Sequence, residues 1–306
     1  VRISDAVSAW AGKRALVIGD PMDDIYRFGR VERVSQEAPV PVFVGEHTDV
    51  RRGGADNVAA NLEALGLQVT TCFPERPWTM KLRYMVGHHQ LFRVDHDRHL
   101  LPTARDVEDI ATHLRLRPPD VVVLSDYAKG WLSHDLCKAV IGNTRAPVVV
   151  DPKGPHWAKY AYADVICPNE AEWIQVCKRY PGGVRAMILK RGARGLRLDQ
   201  FIKVSPVLDT AESIDIPAQA RHVFDVTGAG DTVVATVAAT LAAGGTFETA
   251  ARLANLAAGI VVGEVGTSVC SLDALFDAAW AWDSENTPSP AEPPQHYPPL
   301  FNLVDG

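Results

Sequence analysis

Residues 225–232 read DVTGAGDT, and residues 233–244 continue VVATVAATLAAG. The second stretch is Ala-rich and apolar on every side, so it reads as a helix buried within a core. The first opens that helix. Gly228, Ala229 and Gly230 carry almost no side chain, so three successive backbone N–H groups at the helix N-terminus can close on an anion, with Asp231 supplying a carboxylate beside them. A small-residue turn also serves tight packing alone. Here one acid, Asp231, follows it at once and another, Asp225, stands six residues earlier, a pattern suited to phosphoryl transfer. A second motif supports that reading: GGADNVAANLEALG, Gly53 to Gly66, has a Gly-Gly turn, Asn57 four positions after the first Gly, and a helical stripe closing on a glycine cap.

Around these two motifs, short apolar runs bounded by Gly, Pro and Asp alternate with helical patterns: RALVIGD, NVAANLEALG, DVVVLSD, PVVVDPKG, DVICPNE and AMILKRG. Val121–Leu124 and Val148–Val150 are apolar on both faces, which indicates central strands of a parallel sheet covered by helices on each side. The fold class is therefore α/β, a doubly wound and mostly parallel sheet. Ligands of such sheets sit at the carboxyl ends of the strands, where Asp20, Asp24, Ser125, Asp126, Asp151, Lys153, Asn169 and Lys190 fall. Two segments, within 25–53 and 79–96, alternate residue by residue and predict a small antiparallel sheet with one wet face. We expect the α/β domain to span 1–282. Residues 283–306, with six prolines, read as an extended or disordered tail.

Composition narrows the class. Hydrophobic residues make up 47% and charged residues 22%, as in globular proteins with a sizeable core. No stretch is apolar for long enough to span a bilayer, and the first twenty residues lack the pattern of a secretory signal, so a cytoplasmic location is expected. The five cysteines are scattered without metal-ligand spacing and read as incidental thiols. A net charge of −6 argues against a nucleic-acid partner, so any anionic substrate must be met by a local cluster of cations.

Taken with VIGDPMDDIYRFG (17–29), RVSQEAPVPV (33–42), LSDYAKG (124–130), VVVDPKG (148–154) and GIVVGEVGTS (259–268), the two motifs resemble the ribokinase, or PfkB, family of small-molecule kinases. Within it they look like the kinase domains that phosphorylate D-glycero-D-manno-heptose 7-phosphate on the way to ADP-heptose. The resemblance runs from about Lys13 to about Leu275. It implies a ribokinase-like fold whose small sheet covers the sugar as a lid and pairs with a second subunit in a homodimer.

It also implies roles. Asp231 is the base that takes the proton of the acceptor hydroxyl, with Gly228, Ala229 and Gly230 as the N–H pocket. The sugar is met by Asp24, Gly53, Gly54, Asn57 and Asp126. The phosphate that the sugar already carries has Lys81, Arg83, Arg93 and Lys129 as candidate cations, although a solvated strand face explains any one of them equally well. ATP is met by Lys153, Lys190, Gly192, Gly195 and Asn255, while Asn169 and Glu172 reproduce the Asn-x-x-Glu pattern that orders hydrated Mg2+. A monovalent cation such as K+ would sit in a loop around Asp225, Thr227, Gly266 and Ser268, a run that also reads as an ordinary loop.

The chain departs from the family in four places. Lys190 stands where Thr is usual, and Asp56 replaces a small apolar residue, adding a carboxylate expected beside the sugar. Between Phe73 and Trp78 a helix and strand are missing, and between Cys177 and Ala186 a helix gives way to a short turn. These losses predict an exposed sheet edge or face. They keep open two rival readings, a kinase for another sugar, sugar phosphate or cyclitol and a non-catalytic binding scaffold.

Overall fold

The computed structural model describes residues 2–177, 179–202, 209–219, 226–263 and 269–286. Helix α1 (Ile3–Ser8) leads into β1 (Arg14–Gly19), and the chain then leaves for the long pair β2 (Pro21–Val34) and β3 (Pro41–Gly54). Helix α2 (Ala55–Ala64) returns it to β4 (Gln68–Cys72), after which β5 (Thr79–Val86) and β6 (His89–His96) make a second excursion. From there strands and helices alternate: α3 (Ala104–Leu116), β7 (Val121–Ser125), α4 (His134–Asn143), β8 (Val148–Asp151), β9 (Val165–Ile166), α5 (Glu170–Gln175) and β10 (Ala186–Lys190). The hairpin of β11 (Leu196–Ile202) and β12 (Asp209–Ile216) precedes α6 (Ala229–Ala242), α7 (Phe247–Val261) and α8 (Leu272–Asn286).

The main sheet has the order β12, β11, β10, β9, β8, β7, β1, β4. It is parallel from β4 to β10 and antiparallel in the β10–β11–β12 end. As their sequences predict, β7 and β8 are central and buried throughout. One core, containing Val17, Val58, Leu62, Val237 and Leu253, packs α1, α2, α6, α7 and α8 on one face of the sheet. A second, containing Leu16, Leu114, Leu124 and Leu136, packs α3 and α4 on the other. Helix α6 is buried at every position from Asp231 to Ala242. Its polar residues are satisfied: Thr236 and Thr240 donate to carbonyls four residues back at 2.8 and 2.9 Å, and Thr232 donates to Asn61 Oδ1 of α2 at 2.8 Å.

The lid has the order β3, β2, β5, β6. Its two hairpins are antiparallel as expected, but β2 and β5 run parallel. Both strands leave the carboxyl side of the main sheet in the same direction, one after β1 and the other after β4, so they must enter the lid side by side.

The two shortened connections resolve differently. Strand β4, from which the chain passes through Phe73–Trp78 straight into the lid, pairs only with β1 among the described residues and has Thr70 and Thr71 exposed. The sheet edge there is bare, as expected. At the second site the expected exposed face is covered. Trp157, Trp173, Tyr180 and Phe201 form a run of rings with successive centroids 6.1, 4.5 and 4.3 Å apart, closing over the second core.

The expected boundary at 282 also shifts. Helix α8 continues to Asn286, and the Asp283 carboxylate accepts hydrogen bonds from the Ile3 and Ser4 amides at 3.0 and 2.9 Å and from the Ser4 hydroxyl at 2.5 Å. It thereby caps α1. Residues 287–306, the rest of the expected tail, lie outside the described residues, and among those described no helix is long and apolar enough to cross a membrane.

Candidate active site

The N-terminus of α6 faces the carboxyl ends of β1, β7, β8 and β10. Gly228 is its cap, with a φ of 82° that only glycine takes at little cost. Ala229 donates to the Val226 carbonyl at 3.3 Å, so of the three expected amides it is the one already engaged. Those of Gly228 and Gly230 have no acceptor among the described residues.

Asp231 is buried one residue on. Asn57 Nδ2 donates to its Oδ2 at 2.7 Å, and the Tyr127 hydroxyl donates to its Oδ1 at 2.6 Å. Burial raises its pKa above the ordinary carboxylate value, and the bonds from Asn57 and Tyr127, with the Lys190 charge, oppose that rise. A carboxylate so placed at the head of a helix can, in its charged form, accept a proton.

On the side expected to meet the sugar, Asp24 is buried, and its Oδ1 accepts from Arg83 at 2.8 Å. Gly53 is needed at that place because a Cβ there would lie 2.6 Å from Asp24 Oδ2. At Gly54 φ is 59° and a Cβ would meet the Asp20 carbonyl at 2.5 Å. Both glycines thus allow β3 and α2 to close on β2. The lid ladder places Arg51, Asp24, Lys81 and Asp95 in one cross-strand row, and Tyr26, Arg83 and Arg93 in the next row on the same face. Arg51 also lies over the Tyr26 ring, 4.5 Å from its centroid. Sequence alternation carried this signal, since Arg51 is in phase with Asp49 and Gly53, but the neighbouring Arg52 obscured it.

Among the four expected phosphate cations, Arg83 is committed to Asp24, Arg93 to Asp95 at 2.7 Å and Lys129 to Asp97 at 2.6 Å. Lys81 makes no ion pair among the described residues. Burial holds it below the ordinary lysine value, and its ammonium lies 6.0 Å from the centre of the Tyr127 ring.

Two expectations are corrected. Asp126 does not offer its carboxylate to the site. It accepts from Lys159 Nζ and the Tyr160 hydroxyl, each at 2.5 Å, and from the Ala128 amide at 2.6 Å, so its oxygens serve the second core. Asp56 turns outward to Arg52 at 2.8 Å instead of toward the sugar, and Arg52 also binds Glu63. A residue that the sequence left without a role, Asp20, accepts from the amides of Tyr127, Lys129 and Trp131 at 3.0, 3.0 and 3.1 Å and so holds the loop that carries Tyr127.

A cavity of about 490 Å³ opens beside the α6 N-terminus and brings together Asn169, Lys190, Gly192, Gly195 and Asn255 with Gly230. Five expected nucleotide residues thus share one cleft. Lys190 Nζ donates to Asp151 Oδ1 at 2.6 Å and lies 3.4 Å from where a Gly230 Cβ would stand. Burial would lower its pKa, but Asp151 outweighs this and holds the ammonium above its ordinary value. For Asp151 the burden falls the other way: burial pushes it to about 7 against the pull of Lys190. Lys153 stands just outside the cavity lining, with its ammonium on Glu172 at 2.7 Å.

Asn169 and Glu172 form a capping box at the start of α5, each accepting from the other's amide at 2.9 Å. That leaves Glu172 Oε1 to the Lys153 ammonium. Among the described residues no three His, Cys, Asp or Glu side chains gather as a closed metal site. Magnesium carried with a polyphosphate keeps most of its water and needs only one or two carboxylates, so Glu172 beside Asp151 fits it. Of the expected monovalent-cation loop only Thr227 is described; Asp225, Gly266 and Ser268 lie outside the described residues.

Comparison with known proteins agrees with this geometry. Residues 122–274 match the profile described as pfkB family carbohydrate kinase. A D-beta-D-heptose 7-phosphate kinase of Bordetella bronchiseptica is 39% identical over 297 residues, spanning 85% of this chain and 94% of that protein. The bifunctional protein HldE of Methylobacillus flagellatus is also 39% identical, over 331 residues that span 87% of this chain and 68% of that one. That alignment is longer than the chain itself, so the relative carries segments missing here, in keeping with the two shortened connections. In fold the chain is similar to phosphofructokinase-2 from Escherichia coli solved with potassium, with a TM-score of 0.68 at 16% identity over 90% of this chain and 99% of that one. Ribokinase of Arabidopsis thaliana, solved with ribose and ATP, gives a TM-score of 0.63 at 18% identity over 88% and 99%. With its family profile, its relatives and the arrangement around Asp231 in agreement, the chain belongs to the pfkB family of carbohydrate kinases.

Proposed function

We propose that the protein transfers the γ-phosphoryl group of ATP to the anomeric hydroxyl of D-glycero-D-manno-heptose 7-phosphate, giving the 1,7-bisphosphate. The observation that carries this reading is the lid face. Arg51, Lys81, Arg83 and Arg93 stand together around Asp24, next to the base, in a protein whose net charge is −6. Such a face suits an acceptor that is both a polyol and an anion. The Bordetella bronchiseptica relative, named a D-beta-D-heptose 7-phosphate kinase, supports the same substrate.

Asp231 accepts the proton of the attacking hydroxyl, held in line by Asn57. The Gly228 and Gly230 amides and the Lys190 ammonium face the phosphoryl group as charge shifts onto its oxygens. Magnesium bound with ATP supplies further positive charge to the polyphosphate, and Glu172 would hold it through water. Lys190, in place of a hydroxyl residue, adds a fixed cation between β8, β10 and α6.

The test is ADP release from Mg-ATP with a panel of free and phosphorylated sugars. Turnover with heptose 7-phosphate and at least a hundredfold less with the free heptose supports the reading, since two charge-assisted contacts of roughly 1.5–3 kcal/mol each would be lost. Equal use of both would refute it. We also propose a homodimer through the lid's other face, where Val50, Phe92 and Val94 are exposed. Sedimentation as a 33.3 kDa monomer at micromolar concentration would count against that.

A further inference from the structure

Both oxygens of Asp231 accept hydrogen bonds from the protein itself, but the two donors are held differently. Asn57 belongs to α2, which is locked to α6 again one turn on by Thr232 and Asn61 at 2.8 Å. That contact is part of the frame. Tyr127 lies in neither helix nor strand. It sits on the connection between β7 and α4, where Ala128 takes a φ of 56°, a left-handed conformation that costs a non-glycine residue energy. The loop rests on Asp20 through three amides, and the Tyr127 ring lies beside Lys81 of the lid. One side chain therefore touches the lid on one side and the base on the other.

The acceptor's hydroxyl must reach the oxygen of Asp231 that takes its proton. Asn57 is fixed between two packed helices; the Tyr127 hydroxyl can yield by a turn of its side chain while Asp20 keeps the loop's backbone in place. We propose that Tyr127 is a place-holder at the base: its hydroxyl occupies on Asp231 Oδ1 the position that the acceptor's hydroxyl takes for transfer. It gives that position up when the acceptor enters beneath the lid, so water cannot use the base while ATP waits alone. This rests on the reading of Asp231 as the base.

The suppressed side reaction is hydrolysis. A water oxygen bonds to the γ-phosphorus, the bond from that phosphorus to the β–γ bridging oxygen breaks, ADP leaves with the electron pair, and the water's proton passes to Asp231. The charged and titratable groups facing Asp231 are Lys190 from β10, Asp24 from β2 and Asp151 from β8, with Tyr127 from the loop. Of these groups only Tyr127 donates directly to its carboxylate.

The experiment measures ADP release from Mg-ATP without any sugar, in the wild type, in Tyr127→Phe, and in Tyr127→Phe combined with Asp231→Asn. Removing the hydroxyl should raise acceptor-free hydrolysis about tenfold, a fraction of what a freed general base can contribute, and Asp231→Asn should abolish the gain. The acid limb of that hydrolysis should lie at a higher pH than the acid limb of wild-type transfer, because a bond that favoured the charged carboxylate is gone. Unchanged hydrolysis in Tyr127→Phe, or a gain that persists without Asp231, overturns the proposal. Tyr127→Met, which also lacks the hydroxyl, repeats the test if the phenylalanine variant folds poorly. No sugar enters these measurements, so a wild type that ignores heptose 7-phosphate would count against the substrate assignment and leave this result to be read on its own.

Discussion

Asp231 carries its charge in a place that resists it. Burial raises its pKa, so with Asp231 as the proposed base the acid limb of activity should fall at a pH above the range of an ordinary aspartate: the carboxylate must be charged to act, and it binds its proton at a pH where an exposed aspartate would not. Replacing it by asparagine should lower kcat about 10²- to 10⁴-fold while leaving the thermal midpoint unchanged or slightly raised, because a costly buried charge is removed and the Asn57 contact keeps a partner. Retention of more than half the turnover would show that another group takes the proton. Asp231, Asn57 and the small-residue turn were legible because their spacing is local and each follows from helix geometry. Tyr127, Asp20 and Arg51 were not, because their roles come from which strand ends meet in space. Asp126 misled for the same reason: the end of β7 has two sides, and its position in the chain does not say that Tyr160 and Lys159 claim its carboxylate.

Among the elements, the lid's strands were legible from alternation, but β6 is exposed at every residue, so the single wet face expected there is not found, and register shifts after Phe28 and Tyr84 interrupt the alternation. What alternation could not give was the parallel junction of β2 with β5, which depends on where α2 and β4 return the chain. The cation face makes a specific demand. Replacing Arg83 and Arg93 together by methionine should raise the KM for the sugar phosphate at least tenfold and leave that for ATP within about twofold, as two charge-assisted contacts are lost on one side of the base only. Because Arg83 also satisfies buried Asp24, the double variant should be less stable than Arg93→Met alone. Steady-state kinetics with both substrates varied, and melting curves of the two variants, check the pair of statements. An equal rise in both Michaelis constants would mean that the lid serves closure rather than recognition.

For the molecule as a whole, the first and last described helices are tied by Asp283. Burial alone would raise its pKa, but the bonds from Ser4 and Ile3, with Arg2 nearby, outweigh that and leave it below the ordinary value. A depressed carboxylate contributes stability that is present above its unfolded value of 3.8 and is lost as pH falls through its folded one. Asp283→Ala should therefore cost about 1.5–3 kcal/mol near neutrality, with the gap from the wild type closing as the pH is taken below that unfolded value. Melting curves at several pH values check it, and a gap independent of pH would assign the loss to packing. The sequence placed the domain's end just before this residue, because proline-rich composition announces a tail but cannot show that its first turn is still helical.

Helix α6, buried at every position from Asp231 onward, implies an order of events in time. Its amides can meet solvent only when the sheet and α2 let go together, so in deuterium exchange they should be among the last to be labelled, while β6, exposed at every residue, should label early. Asp231 would then sit at the mouth of the slowest-opening helix and the lid strands on one of the quickest-opening parts. Mass-resolved exchange that found α6 labelling as fast as β6 would contradict this, and with it the picture of a stationary catalytic floor beneath a cover that breathes.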